Sequence, residues 1–376
     1  MTATGDQPDG DDRRRVVLVL QGGGALGSYQ AGVFEALVEA GLQPDWVAGV
    51  SIGAVNGSLI AGNPPEQRLE RLREFWLRIT APTALWPRHG PPVLERLEQR
   101  AGALGALLFG QPGFFRPRLP FEWFTDTPPV SFYDTGALQG TLAELVDFER
   151  IARGPTRLTV GAVNVETGNQ INFDSRHMRL GVEHVMASGA LPPGLAVVEV
   201  EGEAFWDGGL VSNTPLQVVM DDAPREDSLI FQVDLFPARG PRPATLDEVL
   251  EREKDIRYSS RTRAGTKSAS ERQSLRLELT RFLDRLPAKL QRDPVAQHLR
   301  GLSCRARMDI VHLIYRPDVP QGSQKDFQFD RGTMSRRWEQ GLADGRRTLQ
   351  AAPWRAPVPA GTGVRVFDVT RPAPAR

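Results

Sequence analysis

Cysteine and histidine are scarce in this chain, which has 376 residues but a single cysteine, Cys304. One cysteine excludes an intramolecular disulfide and any zinc or iron–sulfur site that needs several thiolates. The five histidines leave few candidates for a catalytic base or a metal ligand: His89, His177, His184, His298 and His312. We therefore expect a cytoplasmic globular protein without disulfide bonds.

An excess of charge of either sign is also missing, because 46 basic residues balance 46 acidic ones. A protein that coats nucleic acid needs a basic surplus, so we expect no nucleic-acid partner. Long apolar runs are absent too. The nearest candidate, residues 101–115, is interrupted by Gly, Gln and Pro, so it is too short to cross a bilayer. The polar start MTATGDQPDGDDRRR does not resemble a signal peptide, which leaves peripheral lipid contact open.

Strand and helix patterns alternate over the first sixty residues. The β-branched run VVLVL at residues 16–20 is typical of a strand buried on both faces, and residues 46–50 form a similar run. Helical spacing follows each of them, over the residues before Gly41 and over residues 52–61. This β-α-β-α order predicts an α/β fold with a mostly parallel sheet covered by helices.

The remaining chain divides by composition. Residues 1–15 are predicted to be a disordered tail, residues 16–240 a catalytic α/β domain, residues 241–352 a helical C-terminal extension with one strand, and residues 353–376 a Pro-rich tail. Residues 80–135 are rich in Pro and aromatics, as expected for an insertion packed on the domain or for a substrate-facing cap. The one predicted strand, residues 308–315, has a composition that would let it join the main sheet.

Two glycine motifs follow the first two strands, at the edge where open parallel sheets bind ligands. The first motif contains Gly22, Gly23, Gly24 and Gly27, and its G-x-G-x-x-G spacing matches a dinucleotide fingerprint. A ribose-binding acid at the end of the second strand would support that interpretation, but the strand ends in Gly-Val-Ser. Dinucleotide binding is therefore disfavoured.

The second motif, Gly49-Val50-Ser51-Ile52-Gly53, predicts a nucleophile elbow. Small residues two before and two after the serine relieve crowding at a sharp strand-to-helix turn. Such a turn places the Ser51 hydroxyl at the sheet edge and at a helix N-terminus, whose partial positive charge favours an oxyanion. The consecutive glycines of the first motif would supply amide donors to that oxyanion.

The sequence leaves two ways to activate Ser51. In a catalytic triad, Asp207 or Asp234 would work with His298 or His312, but both histidines lie in helical or strand patterns. The other candidate base is Asp207 alone, which leaves an apolar strand into a tight turn made by two following glycines, Gly208 and Gly209. Burial beside apolar neighbours such as Trp206 would raise its basicity.

The order GGGALG, GVSIG and DGG, with Asn213-Thr214-Pro215 just after, resembles the patatin-like phospholipase family over residues 16–234. The resemblance implies a three-layer α/β/α fold with a Ser–Asp dyad. Ser51 would be the nucleophile and Asp207 the general base, and Gly27 would open the helix. The resemblance assigns the oxyanion donors to three glycines, Gly22, Gly23 and Gly24. It implies no metal and no organic cofactor.

Two features of the chain extend or depart from this resemblance. Leu26 stands where many family members carry Arg or Lys, which puts a role of that cation in doubt, and DGG replaces the commoner DGA. The region from about residue 245 to residue 376 resembles a C-terminal extension found in a bacterial subset of patatin-like proteins, most clearly over residues 314–349. The basic stretch at residues 254–276 is a candidate for contact with anionic lipid, although a solvated helix face is the simpler interpretation.

The resemblance predicts a serine lipid acyl hydrolase that cleaves carboxylic esters such as phospholipids, lysophospholipids or acylglycerols. A polyester or an acyl thioester would use the same residues. The alternative from another class is a catalytically weak lipid-binding or scaffold protein on the same fold.

Overall fold

A mixed central sheet organises the protein in a computed structural model that describes residues 14–80, 110–318, 320–359 and 361–370. The sheet order among these residues is β11-β10-β9-β1-β2-β5-β8-β7, and β6 pairs with β5 outside that path. The strands are β1 (Arg15–Leu20), β2 (Trp46–Val50), β3 (Arg116–Pro117), β4 (Tyr133–Asp134), β5 (Arg157–Asn164), β6 (Gln170–Asp174), β7 (Val198–Val200), β8 (Glu203–Asp207), β9 (Ser228–Asp234), β10 (Met308–Ile314) and β11 (Val364–Phe367).

Helices cover both faces of this sheet. They are α1 (Ser28–Glu39), α2 (Ile52–Ala61), α3 (Arg68–Arg78), α4 (Gly136–Leu145), α5 (Phe148–Arg153), α6 (Val182–Ser188), α7 (Leu216–Met220), α8 (Leu246–Asp284), α9 (Ala288–Gln291), α10 (Pro294–Leu302) and α11 (Arg331–Ala351). No helix in the described part of the chain is both long and apolar enough to span a bilayer.

The middle of the sheet is parallel, as the VVLVL run predicts. Strand β1 pairs in parallel with β2 on one side and β9 on the other, and β10 and β11 continue the parallel arrangement. Alternate side chains of β1 enter two cores: Leu18 packs with residues of α1, α2 and α3, and Val17 packs with residues of α7 and α8. The three-layer α/β/α architecture is confirmed.

The parallel strands bring the two glycine motifs to one edge of the sheet. Strands β1 and β2 both end there, so the residues after Leu20 and after Val50 lie side by side. Strand β8 runs antiparallel to β5, and its register pairs Asp207 with Ala162 while Val50 pairs with Gly161. Asp207 therefore comes level with the end of β2, next to Ser51.

The C-terminal region is built into the same sheet. The strand predicted at residues 308–315 is β10, which pairs along its whole length with β9. Helix α11 packs on α1 so closely that a methyl group on Gly341 would overlap the Tyr29 carbonyl oxygen. Three helices occupy residues 246–302, and the first, α8, has 39 residues.

The structure differs from the sequence-based expectations at both ends. Arg15 begins β1 instead of belonging to a disordered tail, and residues 1–13 lie outside the described residues. The segment predicted as a Pro-rich tail contains β11, because its alternating residues pair with β10. Much of the predicted insertion or cap, residues 81–109, also lies outside the described residues, as do residues 371–376.

Candidate active site

Ser51 occupies a strained turn between β2 and α2. Its backbone has φ 55° and ψ −124°, a conformation that a residue with a Cβ adopts only at a cost of about 1–3 kcal/mol. The strand–turn–helix context predicted from the motif is therefore present. The turn leaves the Ser51 side chain partly exposed at the N-terminus of α2, where the helix dipole favours negative charge.

The glycines on either side of Ser51 allow the turn to be this sharp. A methyl group on Gly49 would overlap the Gly53 carbonyl, and one on Gly53 would overlap the Leu20 carbonyl of the neighbouring strand. Gly27 is similarly crowded, because its methyl group would lie 2.5 Å from the Ile52 side chain. These residues bring β1, β2 and α2 close enough for the two glycine motifs to meet.

Ser188 holds the backbone of this turn and was missed from the sequence. Its hydroxyl accepts a hydrogen bond from the Ser51 N–H at 2.9 Å and donates one to the Gly161 carbonyl at 2.6 Å. The Ser188 side chain is completely buried at the end of α6. A serine at the end of a short helix is unremarkable in sequence, so only the contact with β2 identifies it.

Asp207 is buried and lies in hydrogen-bond contact with Ser51. The carboxylate accepts the Ser51 hydroxyl and, at 2.7 Å, the N–H of Gly209. Burial raises the pKa of Asp207 to about 6, although both hydrogen bonds act to lower it. Gly208 keeps the turn close to β5, because a methyl group there would lie 2.5 Å from the Gly161 carbonyl oxygen.

Trp206 does not have the role predicted for it. It precedes Asp207 in β8, and successive side chains in a strand point to opposite faces. Trp206 is also partly exposed while Asp207 is buried. The structure therefore places the Trp206 side chain on the opposite face of β8 from the Asp207 carboxylate.

We call residues 22–24, the predicted oxyanion donors that follow β1, the glycine loop. Two of its three backbone amides are free of hydrogen bonds to the described residues. The Gly22 amide is already engaged, because it donates to the Asn213 carbonyl at 3.1 Å while the Asn213 side-chain amide donates to the Gly22 carbonyl at 2.9 Å. To act as an oxyanion donor, Gly22 would have to break this pairing. Gly23 and Gly24 are partly exposed, and their amides have no acceptor among the residues that the structure describes.

The C-terminal region packs directly on this loop. Gly24 has φ +54°, and a methyl group at this position would overlap the Asp326 carbonyl oxygen. Lys254 of α8 binds the Asp326 carboxylate at 2.7 Å. Lys325, next to Asp326, is completely buried and contacts two carboxylates of α8, those of Glu251 and Asp255. We call residues 321–326 the clamp segment.

The histidines and Asp234 do not form a triad with Ser51. His312 lies in β10, which is separated from β2 by β9 and β1, so it is about 14 Å from Ser51 across three strand spacings. His298 is exposed on α10. The buried Asp234 carboxylate accepts hydrogen bonds from Gln232 and Thr214, and burial raises its pKa. Among the described residues, no hydrogen bond joins a histidine to Ser51.

The arrangement has the parts that acyl transfer needs. It joins a partly exposed hydroxyl at a helix N-terminus to a carboxylate whose pKa is raised, and the two free amides directly follow Gly22, which packs against Ser51. Sequence reasoning named Ser51, Asp207, Gly23 and Gly24 as candidates. It did not identify Ser188, the pairing of Gly22 with Asn213, or the clamp segment.

Comparison with protein families identifies two matching regions. A family described as patatin-like phospholipase matches residues 18–220, more than half of the chain. A second family, described as patatin phospholipase, matches residues 256–361 in the C-terminal region.

Individual curated relatives and solved structures are also similar to this chain. A lysophospholipase NTE1 of Candida glabrata is 27% identical over 58% of this chain and 10% of its own length. A lysophospholipase of Aspergillus terreus is 58% identical over 13% of this chain and 3% of its own. The chain thus spans a tenth or less of these relatives. VipD from Legionella pneumophila is 15% identical with a TM-score of 0.38, covering 90% of this chain and 67% of that one. Human GIVD cytosolic phospholipase A2 is 11% identical with a TM-score of 0.39, covering 90% and 59%.

Proposed function

This chain belongs to the patatin-like phospholipase family, and from this premise we propose that it is a serine acyl hydrolase that cleaves carboxylic esters of lipids. One observation carries the proposal. Ser51, held at a strained elbow, shares a hydrogen bond with the buried Asp207 and packs against Gly22, which the unengaged amides of Gly23 and Gly24 directly follow. A scaffold protein would have no need for this combination of strain and buried charge.

In the first half of the reaction, Asp207 accepts the proton of the Ser51 hydroxyl while the oxygen attacks the ester carbonyl carbon. The carbonyl oxygen becomes negatively charged and takes hydrogen bonds from the amides of Gly23 and Gly24. The tetrahedral intermediate then collapses and the carbon–oxygen bond to the leaving group breaks. Asp207 returns its proton to the departing alkoxide, which leaves as an alcohol, and the acyl group stays on Ser51.

In the second half, water replaces the alcohol. Asp207 removes a proton from the water molecule, whose oxygen attacks the acyl carbonyl, and the same two amides stabilise the second oxyanion. Breakage of the bond to Ser51 releases the fatty acid, and the proton returns to the Ser51 oxygen. A carboxylate with a pKa of about 6 is a better proton acceptor than a solvated aspartate, yet it remains ionised at neutral pH.

The proposed substrates are phospholipids, lysophospholipids or acylglycerols. Two of the relatives are named lysophospholipases, which supports an ester with a single acyl chain as the first substrate to try. Polyesters and acyl thioesters have the same reacting carbonyl and belong in the same panel.

A fluorophosphonate probe and a lipid panel test the proposal on the purified full chain. We expect labelling and ester hydrolysis in the wild type, loss of both in Ser51→Ala, and a decrease in hydrolysis of roughly a thousandfold in Asp207→Asn. His298→Ala and His312→Ala are the controls and should keep wild-type rates. Retained turnover in Asp207→Asn with loss in a histidine variant would replace the dyad with a triad. A folded wild type that neither binds the probe nor cleaves any ester would refute the enzyme.

A further inference from the structure

A short stretch of the chain exposes an unusual amount of apolar surface. Residues 119–132, which we call the aromatic segment, present six large apolar side chains to solvent: Leu119, Phe121, Trp123, Phe124, Val130 and Phe132. Phe121 is 67% exposed and Phe124 is 88% exposed. The rings of Trp123 and Phe132 lie 6.2 Å apart, so part of this surface is contiguous. Exposed apolar patches of this kind mark surfaces that bind other molecules.

The aromatic segment is held in place without using its apolar side chains. Strands β3 and β4 pair at its base. The Glu122 carboxylate accepts the Leu119 N–H at 3.1 Å and forms ion pairs with Arg116 at 3.0 Å and Arg118 at 3.2 Å. Asp134 adds a second carboxylate beside the same two arginines. Both arginines are thus paired with carboxylates, the further acid Asp126 gives residues 116–134 a net charge of minus one, and the apolar side chains remain outside.

The aromatic segment lies close to the candidate active site. The amides of Phe132 and Tyr133 donate to the carbonyls of Pro193 and Gly194 at 3.1 and 2.9 Å. Four residues earlier along that loop, the Ala190 carbonyl accepts the backbone N–H of Asp207 at 3.0 Å. Four residue steps of fully extended chain span at most about 14 Å, so with the two hydrogen bonds the base of the segment is within about 20 Å of the Asp207 backbone.

The basic stretch at residues 254–276 is less suited to bind a lipid surface. Lys254 binds Asp326, and Arg272 and Arg276 both bind Asp221. Arg257 and Lys267 pair with carboxylates one turn away on the same helix. Because these five of the seven basic residues in the stretch already have partners, attraction to anionic headgroups would compete with existing ion pairs at most of its cations.

We propose that the aromatic segment is the surface by which this protein docks on the zwitterionic headgroup layer of a phospholipid bilayer. Phe and Trp side chains prefer the boundary between headgroups and acyl chains. Because the arginines are already paired and Asp126 adds a negative charge, the segment has no electrostatic attraction to anionic headgroups and fits a headgroup layer without net charge. Docking there holds the bilayer against a segment whose base is within about 20 Å of the Asp207 backbone, and the inference rests on the proposed lipid substrate.

Vesicle binding and turnover on the full chain test this surface. The double variant Phe121→Ser/Phe124→Ser is compared with Phe282→Ser, which removes a phenylalanine that is 59% exposed on α8. We expect the double variant to lose at least about tenfold in sedimentation with phosphatidylcholine vesicles and in hydrolysis of lipid in those vesicles. Hydrolysis of a short-chain ester in solution should be unchanged, and Phe282→Ser should match the wild type throughout. Vesicle binding should vary little between 0.1 and 0.5 M salt, although the electrostatic screening length decreases from roughly 10 to roughly 4 Å over this range.

Several results would overturn the inference. Unchanged vesicle binding in the double variant would do so, as would binding that requires anionic lipid and disappears with salt. If a second copy of the chain covers the segment, the wild type is a dimer and the double variant a monomer with unaltered vesicle binding. If another stretch of the chain covers the aromatic segment, the double variant has a lower melting temperature than the wild type and unaltered vesicle binding. The proposed function fails separately, through a wild type that binds vesicles but hydrolyses neither the soluble ester nor lipid.

Discussion

In the proposed mechanism, the Asp207 carboxylate has to be basic enough to take a hydroxyl proton and acidic enough to be charged at neutral pH. Burial raises its pKa to about 6, and the hydrogen bonds from Gly209 and Ser51 keep that pKa from rising further. The pKa of a solvated aspartate is about two units lower, so its carboxylate would be a weaker base. If Asp207 is the base, as proposed, its position in the fold sets the pH range in which the protein can act.

The pH dependence of kcat/KM for a soluble ester should report this carboxylate. Asp207 is protonated below its pKa and then cannot accept the Ser51 proton, so we expect activity to fall tenfold per pH unit below about pH 6 and to level off above it. Initial rates between pH 4 and 9, with circular dichroism to confirm that the protein stays folded, provide the profile. If kcat/KM instead falls only near pH 4, the Asp207 carboxylate is not buried in the free enzyme.

Ser188 should affect the chemical step without changing substrate affinity. Ser188→Ala removes the acceptor of the Ser51 N–H, so the strained turn can relax and we expect kcat to fall about tenfold to a hundredfold with KM little changed. Steady-state kinetics on a soluble ester measure this split, and Ser188→Thr, which restores a hydroxyl, should recover much of kcat. Ser58→Ala is a matched control, because Ser58 is equally buried but bonds only within α2. Equal decreases in kcat in Ser188→Ala and Ser58→Ala would mean that Ser188 contributes only to packing.

At the scale of elements, the candidate oxyanion loop is supported from the C-terminal region. Gly24 packs against the clamp segment, and buried ion pairs fix that segment on α8. The fully buried Arg337 of α11 adds a hydrogen bond to the Lys325 carbonyl at 2.9 Å. Two helices that lie far from the loop in sequence therefore determine where the Gly24 amide can be.

Lys325→Met tests how much the clamp segment depends on its buried lysine. The substitution leaves Glu251 and Asp255 buried without their cation, and we expect it to lower the free energy of unfolding by about 3–5 kcal/mol. Urea unfolding gives the value. Lys254→Met is the control, because Lys254 pairs with Asp326 in a more exposed position and should cost only about 1 kcal/mol. Similar losses in both variants would contradict a special role for the buried pair.

At the scale of the whole molecule, the two regions matched by different families share one sheet. Strand β10 pairs with β9 over seven residues, and β11 extends the sheet beyond β10. On the other face, Trp338 of α11 joins the core that contains Phe34 of α1. We therefore propose that the predicted division at residue 240 separates two segments of one cooperative core and that neither forms an independent domain.

A chain ending at residue 240 should not fold. It would expose the edge of β9 and the face of α1 that α11 covers, which favours aggregation. We expect it in the insoluble fraction, whereas a control ending at residue 370 retains every described residue and should be folded and labelled by the fluorophosphonate probe. A soluble 240-residue chain with cooperative thermal unfolding would instead establish an independent catalytic domain.

The amino-acid sequence by itself determined the features that depend on neighbouring residues. The β-branched run before Gly22, the glycines around Ser51 and the turn after Asp207 are local patterns, because strand, sharp turn and helix start are each set within a few residues. They were sufficient to predict an α/β fold with a mostly parallel sheet and to single out Ser51, whereas the three-layer architecture and the choice of Asp207 as its partner came from the resemblance to a family.

Only the tertiary structure decided which of those groups are free to act and what holds them. Ser188 reaches Ser51 across 137 positions, Asn213 engages the amide of Gly22 across 191, and the clamp segment meets Gly24 from the far end of the chain. The same holds for the raised pKa of Asp207, which depends on every element that excludes water from it. Hydrogen bonding and desolvation depend on distance in space, and the spacing of residues along the chain carries no direct record of either.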